Sequence, residues 1–113
     1  MIDGVHVLLF SPRAEAVRTY VADVLGLDSV DAGGGWPIFG LPGGGEAAVH
    51  PADEARVELH LLCDDISATV AELKARGAEL ARPVEEARWG LHTALLLPDG
   101  SELGLYQPLH PRP

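Results

Sequence analysis

Several side chains able to do chemistry stand inside stretches that otherwise read as apolar. His6 lies in VHVLLF, surrounded by five large apolar side chains. A buried imidazole is costly unless it finds a partner, which could be a backbone carbonyl, a water or a metal. Glu58 and His60 occupy alternate positions of VELHLLC and so share one face of a strand. A carboxylate on an apolar strand is expensive when buried alone, so Glu58 either has a partner or faces solvent. His50 ends EAAVH, directly before Pro51. His92 stands in GLHTALLL with Ala94 and Leu96 on its face, as a pocket residue or a hydrogen-bonded core histidine. Trp36, Phe39, Trp89 and Tyr106 fall on strand positions, where aromatic rings build either core or the wall of an apolar pocket.

The elements that must position these residues follow from periodicity. Strict alternation marks VHVLLF as a strand with His6, Leu8 and Phe10 on one face. Ser11 and Pro12 then suit the N-cap and first turn of a helix. Val17, Tyr20, Val21, Val24 and Leu25 recur at helical spacing, and Gly26 is placed to end the helix. The order repeats from residue 57. VELHLLC is a strand, Asp64 and Asp65 open a helix, Ile66, Val70 and Leu73 form its apolar stripe, and Gly77 closes it. Three short strands follow each helix, at 28–32, 36–41 and 46–50, and at 79–84, 90–97 and 102–107. Pro98-Asp99-Gly100 is a turn between the last two. The chain therefore reads as βαβββ twice. The runs Gly33–Gly35 and Gly43–Gly45 fit hairpin loops, since no Gly-Lys-Ser/Thr and no helix follows them.

Composition narrows the function classes. An apolar content of 47% in 113 residues suits one packed domain. No apolar run approaches the ~20 residues that span a bilayer, and residue 1 is not followed by a signal-peptide pattern, so a cytoplasmic location is expected. The net charge of −9, with Lys and Arg scattered, disfavours nucleic acid as a partner, and the acidity either favours cationic ligands or simply marks a solvated surface. Cys63 is the only cysteine. It permits no intrachain disulfide and no thiolate zinc site, and it reads as a small core residue. His110 lies in LHPRP, part of a tail at 109–113 expected to be loosely ordered.

VHVLLFSP…YVADVLGLD, VELHLLCDDISATVAELKARGAE and LPDGSELGLYQP together resemble the vicinal oxygen chelate superfamily. That group includes glyoxalase I, methylmalonyl-CoA epimerase, extradiol dioxygenases and bleomycin-resistance proteins. The resemblance covers nearly the whole chain. It implies an α+β fold of two tandem βαβββ modules, here 1–52 and 53–108, forming a cup-shaped, half-open barrel within a single domain spanning 1–113. It also implies metal ligands on the first and last strands of each module. His6, His50 and Glu58 stand at such positions, a set able to hold Fe, Mn, Ni or Zn as a divalent ion. The family's last-strand carboxylate would fall four residues after the turn glycine, where this chain has Gly104. Glu102, on the same face of that strand, is the candidate substitute.

Two functions follow from the resemblance. The first is a metal-dependent enzyme, glyoxalase- or dioxygenase-like, acting on a small substrate that chelates the metal through vicinal oxygens. Glu102 and His60 would then move protons, and Trp36, Phe39, His92 and Tyr106 would line the substrate pocket. The second is a metal-free protein of the bleomycin-resistance kind that sequesters a cationic or aromatic small molecule. Either reading implies a homodimer, since pairing would cover apolar sheet edges.

Overall fold

Both modules fold in the order strand, helix, three strands. In the computed structural model, which describes residues 1–113, the elements of the first are β1 (Ile2–Ser11), α1 (Ala14–Thr19), β2 (Ser29–Asp31), β3 (Pro37–Leu41) and β4 (Gly45–Pro51). Those of the second are β5 (Arg56–Cys63), α2 (Ile66–Ala75), β6 (Glu79–Ala87), β7 (Gly90–Leu96) and β8 (Glu102–Pro108). The α+β class and the doubled βαβββ order match the sequence expectation. No helix is long and apolar enough to cross a membrane.

The chain divides into two compact units, one of residues 5–59 with 111–113, the other of residues 1–4 with 60–110. In the first, the strand order is β2-β3-β4-β1. Neighbours are antiparallel except β1 and β4, which run parallel. A parallel pair needs a long crossover, and the helix with β2 and β3 supplies it. The register sets His6 beside Glu46 and Phe10 beside His50. The core holds Val21, Ile38, Phe39, Ala47, Ala48 and Val49. Gly33–Gly35 forms the β2–β3 connection, where the Asp31 carboxylate accepts from the Gly33 and Gly35 N–H groups at 2.6 and 3.1 Å. Gly43 and Gly44, both at positive φ, turn the chain from β3 into β4.

The second unit repeats the plan, in the order β5-β8-β7-β6 with β5 and β8 parallel. Here the register sets His60 beside Gly104 and Leu62 beside Tyr106. Cys63, Ile66, Val70 and Leu105 form its core, with Leu61, Leu73, Leu80 and Leu91 packed against it. Asp65 caps α2 by accepting from the Ala68 N–H at 3.1 Å, and Gly77 follows the helix at φ 98°. Cys63 is the core thiol expected; burial pushes its pKa up, and its Sγ lies 3.7 Å from the Tyr106 carbonyl oxygen.

The first helix departs from its expectation. Ser11 ends β1 rather than capping a helix, and its hydroxyl accepts from the Arg13 N–H at 3.0 Å. α1 is six residues long and passes into a π-helical turn over Tyr20–Val24, where the Leu25 N–H bonds the Tyr20 carbonyl at 3.1 Å. The wider turn breaks the 3.6-residue repeat. Val21 therefore stays buried while Tyr20, Val24 and Leu25 face solvent.

Candidate functional site

The parallel pairing of β1 and β4 builds the chain's most buried polar contact. His6 is 4% exposed and Glu46 1%. The His6 Nδ1–H donates to the Glu46 carboxylate at 2.6 Å. A hydrogen bond this short offsets part of the cost of burying both groups. The other Glu46 oxygen faces Arg112 Nε at 3.9 Å. Thus one partner of His6 is a carboxylate, which is none of the three that its sequence suggests.

Glu46 and Arg112 are the residues that reasoning missed. Glu46 opens the run EAAV after three glycines and resembles a loop residue in sequence. Its signal was the pairing, since parallel alignment of VHVLLF with EAAVH from their first polar residues places Glu46, not His50, at the level of His6. Arg112 lies in the segment expected to be loose. Residues 111–113 have no regular secondary structure, yet the segment reaches Glu46.

The set His6, His50 and Glu58 is not assembled. His50 is four residues further along β4 than Glu46, about 13 Å at strand rise, so it cannot share an ion with His6. Its exposed ring lies 4.9 Å from the Trp36 ring and 5.5 Å from that of Phe10. The Arg18 guanidinium stands 4.6 Å over Trp36 and that of Arg56 3.8 Å over Phe10, so a run of three tilted rings carries a guanidinium at each end. Arg18 also donates to the Val49 carbonyl at 2.7 Å and pairs with Glu15. Glu58 is partly exposed and accepts from Arg56 at 2.8 Å. No three His, Cys, Asp or Glu side chains converge where a metal ion could be held. His6, His50 and Glu58 therefore do not converge on one ion.

In the second unit the imidazole of His60 covers Gly104. A Cβ on residue 104 would stand 1.9 Å from His60 Nδ1, so glycine is the residue that fits beneath the ring. The place expected of a last-strand carboxylate is thus filled by the histidine of the neighbouring strand. Glu102, the candidate substitute, is exposed and accepts from Arg82 at 3.2 Å. His60 packs edge-on to Tyr106, with 6.2 Å between ring centroids. Of the two residues expected to move protons, Glu102 stands in a surface ion pair and His60 lies over Gly104 beside Tyr106.

Of the expected pocket residues, Phe39 and Tyr106 are each 3% exposed and belong to the core. The Tyr106 hydroxyl shares a hydrogen bond with His110 Nε2 at 3.1 Å, and its ring meets Trp89 edge to face. Trp36 and His92 remain accessible in part. His92 stacks on exposed Trp89 with 4.8 Å between centroids.

No family model matches the chain, and no curated protein matches it. Solved structures do. Methylmalonyl-CoA epimerase from Mycobacterium tuberculosis superposes with a TM-score of 0.65 at 14% identity, over 95% of this chain and 87% of its own. A glyoxalase/bleomycin resistance protein/dioxygenase superfamily member from Vibrio splendidus 12B01 gives 0.57 at 18% identity, over 95% and 99%. BphC, a halotolerant catechol dioxygenase, gives 0.61 at 18% identity, over 100% of this chain and 42% of its own. The resemblance to the vicinal oxygen chelate superfamily therefore holds at the level of fold, and a shared fold does not transfer an activity.

Proposed function

We propose that this chain binds a small cationic or aromatic molecule, in the manner of the bleomycin-resistance proteins, and does so without a resident metal. The observation that carries this reading is the His6–Glu46 pair. One nitrogen of the only fully buried histidine is committed to a buried carboxylate, and the other expected ligands lie elsewhere on the strand or in surface ion pairs. A carboxylate backed by an imidazole suits a ligand that brings positive charge or several N–H donors. The net charge of −9 draws cations toward the chain. The Trp36, His50 and Phe10 rings add π faces suited to a flat ring.

One observation favours the metal-dependent alternative. An imidazole whose Nδ1–H is held by a carboxylate has the tautomer and orientation common among metal-binding histidines. The test separates the two. The protein is loaded with Fe(II), Mn(II), Ni(II) and Zn(II) and its metal content measured beside a calorimetric screen of cationic and aromatic compounds. The binding reading expects no His6-dependent metal, and a ligand whose affinity falls in Glu46→Gln. About one metal per chain, lost in His6→Ala, overturns it.

Self-association belongs to the same proposal. Val57 and Leu59 of β5 and Tyr20, Val24 and Leu25 of the π-helical turn expose large apolar side chains, which mark interaction surfaces where they gather. A homodimer is expected, and a monomer alone on gel filtration at micromolar concentration refutes it.

A further inference from the structure

We propose that Trp89, Tyr106 and His110 form a one-electron relay, in which Trp89 passes an oxidising equivalent from the surface to Tyr106 and Tyr106 gives its hydroxyl proton to His110. The relay lies within the second unit and does not depend on which ligand the chain binds.

Three segments are fastened together to build it. Ala87 pairs with Gly90, so β6 turns into β7 through Arg88 and Trp89 alone. Gly90 lets that turn lie close against β8, since a Cβ there would stand 2.5 Å from the Gln107 carbonyl oxygen and 3.2 Å from Cδ2 of Tyr106. The Leu109 N–H donates to the Trp89 carbonyl at 2.9 Å, which ties the residue after β8 to the turn and sets His110 beside Tyr106. The groups then follow one another in contact. His92 stacks on Trp89 with 4.8 Å between centroids and fixes the indole, Trp89 meets Tyr106 at 90° with 5.2 Å between centroids, and the Tyr106 hydroxyl lies 3.1 Å from His110 Nε2.

Exposure gives the row a direction. Trp89 is 45% exposed and Tyr106 3%, so a molecule in solution meets the indole and not the phenol. Indole and phenol are among the side chains that give up a single electron most readily. An oxidised phenol is a strong acid, so its oxidation is easy only where a base takes the proton at the same time. Imidazole is such a base at neutral pH, and when protonated on Nδ1 it accepts from the Tyr106 hydroxyl through Nε2. An organic radical cation, as the one-electron oxidant, takes one electron from Trp89. The phenol returns that electron to the indole, and its proton moves along the hydrogen bond to Nε2. This leaves a neutral tyrosyl radical, an imidazolium and a restored Trp89. An enediol reductant then supplies one electron, and His110 returns the proton. Burial of Tyr106 keeps the radical from coupling to a second chain.

The test oxidises the protein with tris(bipyridine)ruthenium(III), generated by a laser flash, and follows the radicals by transient absorption and electron paramagnetic resonance. Tyr20 is exposed, so the reference protein carries Tyr20→Phe to remove its signal without disturbing the fold. Trp89→Phe, Tyr106→Phe and His110→Gln are made on that background, and Trp36 is common to all of them. In the reference protein a tryptophan radical should decay as a tyrosyl radical rises, more slowly in heavy water, and ascorbate should then erase the tyrosyl signal and leave the chain intact by mass spectrometry. Tyr106→Phe should lose the tyrosyl signal and prolong the tryptophan radical. Trp89→Phe should lower the tyrosyl yield severalfold, because the buried phenol has lost its entry point. His110→Gln should slow its formation, since an amide can bond to the phenol but cannot take its proton. No tyrosyl radical in the reference protein, or an undiminished yield in Trp89→Phe, overturns the relay. Formation at an unchanged rate in His110→Gln, with no effect of heavy water, overturns the proton transfer to His110. A role in packing alone would shift Tm in these variants and leave the radical yields as they were. Circular dichroism confirms the fold of each variant, and the matched kinetics and the heavy-water effect are read on the reference protein itself.

Discussion

Substitution of Gly104 by alanine should destabilise the protein through one side chain, His60. Gly104 pairs with His60 of β5 on one side and Ala94 of β7 on the other, so its backbone is held from both flanks and cannot retreat. The added methyl carbon would stand 1.9, 2.6 and 2.8 Å from Nδ1, Cε1 and Cγ of His60. The ring must withdraw by about 1.5 Å at its nearest atom to reach ordinary van der Waals contact, and it does so beside Tyr106, which is buried. Overpacking of this kind costs about 1–3 kcal/mol. For 113 residues, an unfolding entropy of ~2.1 cal/mol/K per residue converts this to a fall in Tm of about 4–13 °C. In a His60→Ala background the obstacle is gone. There Gly104→Ala should be neutral or slightly favourable, because alanine loses less backbone entropy than glycine in a strand. Thermal and urea unfolding of the parent, both single variants and the double variant gives the coupling, expected at about 1–3 kcal/mol. A Gly104→Ala protein as stable as its parent, or an equal loss in both backgrounds, would refute the assignment of His60 as the group that fills this position.

Removing one member of the His6–Glu46 pair leaves the other polar and buried, so His6→Leu or Glu46→Leu alone should cost about 3–5 kcal/mol, and the double Leu variant less than either, as read by urea unfolding. Asp99 accepts from the Ser101 hydroxyl at 2.6 Å and its N–H at 2.9 Å, bonds that hold its carboxyl below the ordinary aspartate range. Because the folded pKa is the lower one, its contribution to stability is present above the unfolded value and is lost as pH falls through the folded value. Carboxyl NMR titration should show the depressed midpoint, and Ser101→Ala should raise it part of the way. Cys63 is buried with its pKa raised by desolvation, so a thiol reagent should modify it at the rate of unfolding rather than at that of an open thiol, and fast labelling of the native protein refutes this.

The elements were legible because their signals are local. Alternation in VHVLLF and VELHLLC, Asp65 before an apolar stripe, and the glycines at 33–35, 43–45 and 77 each specify their own conformation. The first helix was less legible, since the π-helical turn at Tyr20–Val24 shifts every later side chain and no residue type announces it. The site was legible in one residue, His6, which is as buried as its strand requires. Its partner depended on the register between two strands separated by 40 positions. Counting along the sequence led to His50, whereas pairing selects Glu46. Phe39 and Tyr106 were ambiguous for a different reason. An aromatic on a strand looks the same in sequence whether its face meets the core or a pocket, and here both meet the core.

The two modules put the same layout to different uses. In each, the first strand runs parallel to the last, so one residue from each strand meets at a fixed level. In the first module that meeting is His6 with Glu46, a donor and a carboxylate. In the second it is His60 with Gly104, a ring laid over bare backbone. The second place thus carries one polar side chain, His60, where the first carries two. The buried carboxylate is Glu46, in the first module, while the matching position in the second is the glycine beneath the His60 ring. It follows that substitutions at the two places should separate cleanly. A change at Glu46 alters which ligands bind, and a change at Gly104 alters stability while leaving ligand preference as it was. A Gly104→Ala protein whose ranking of compounds in the screen of cationic and aromatic ligands differs from its parent's would show that this division of labour is wrong.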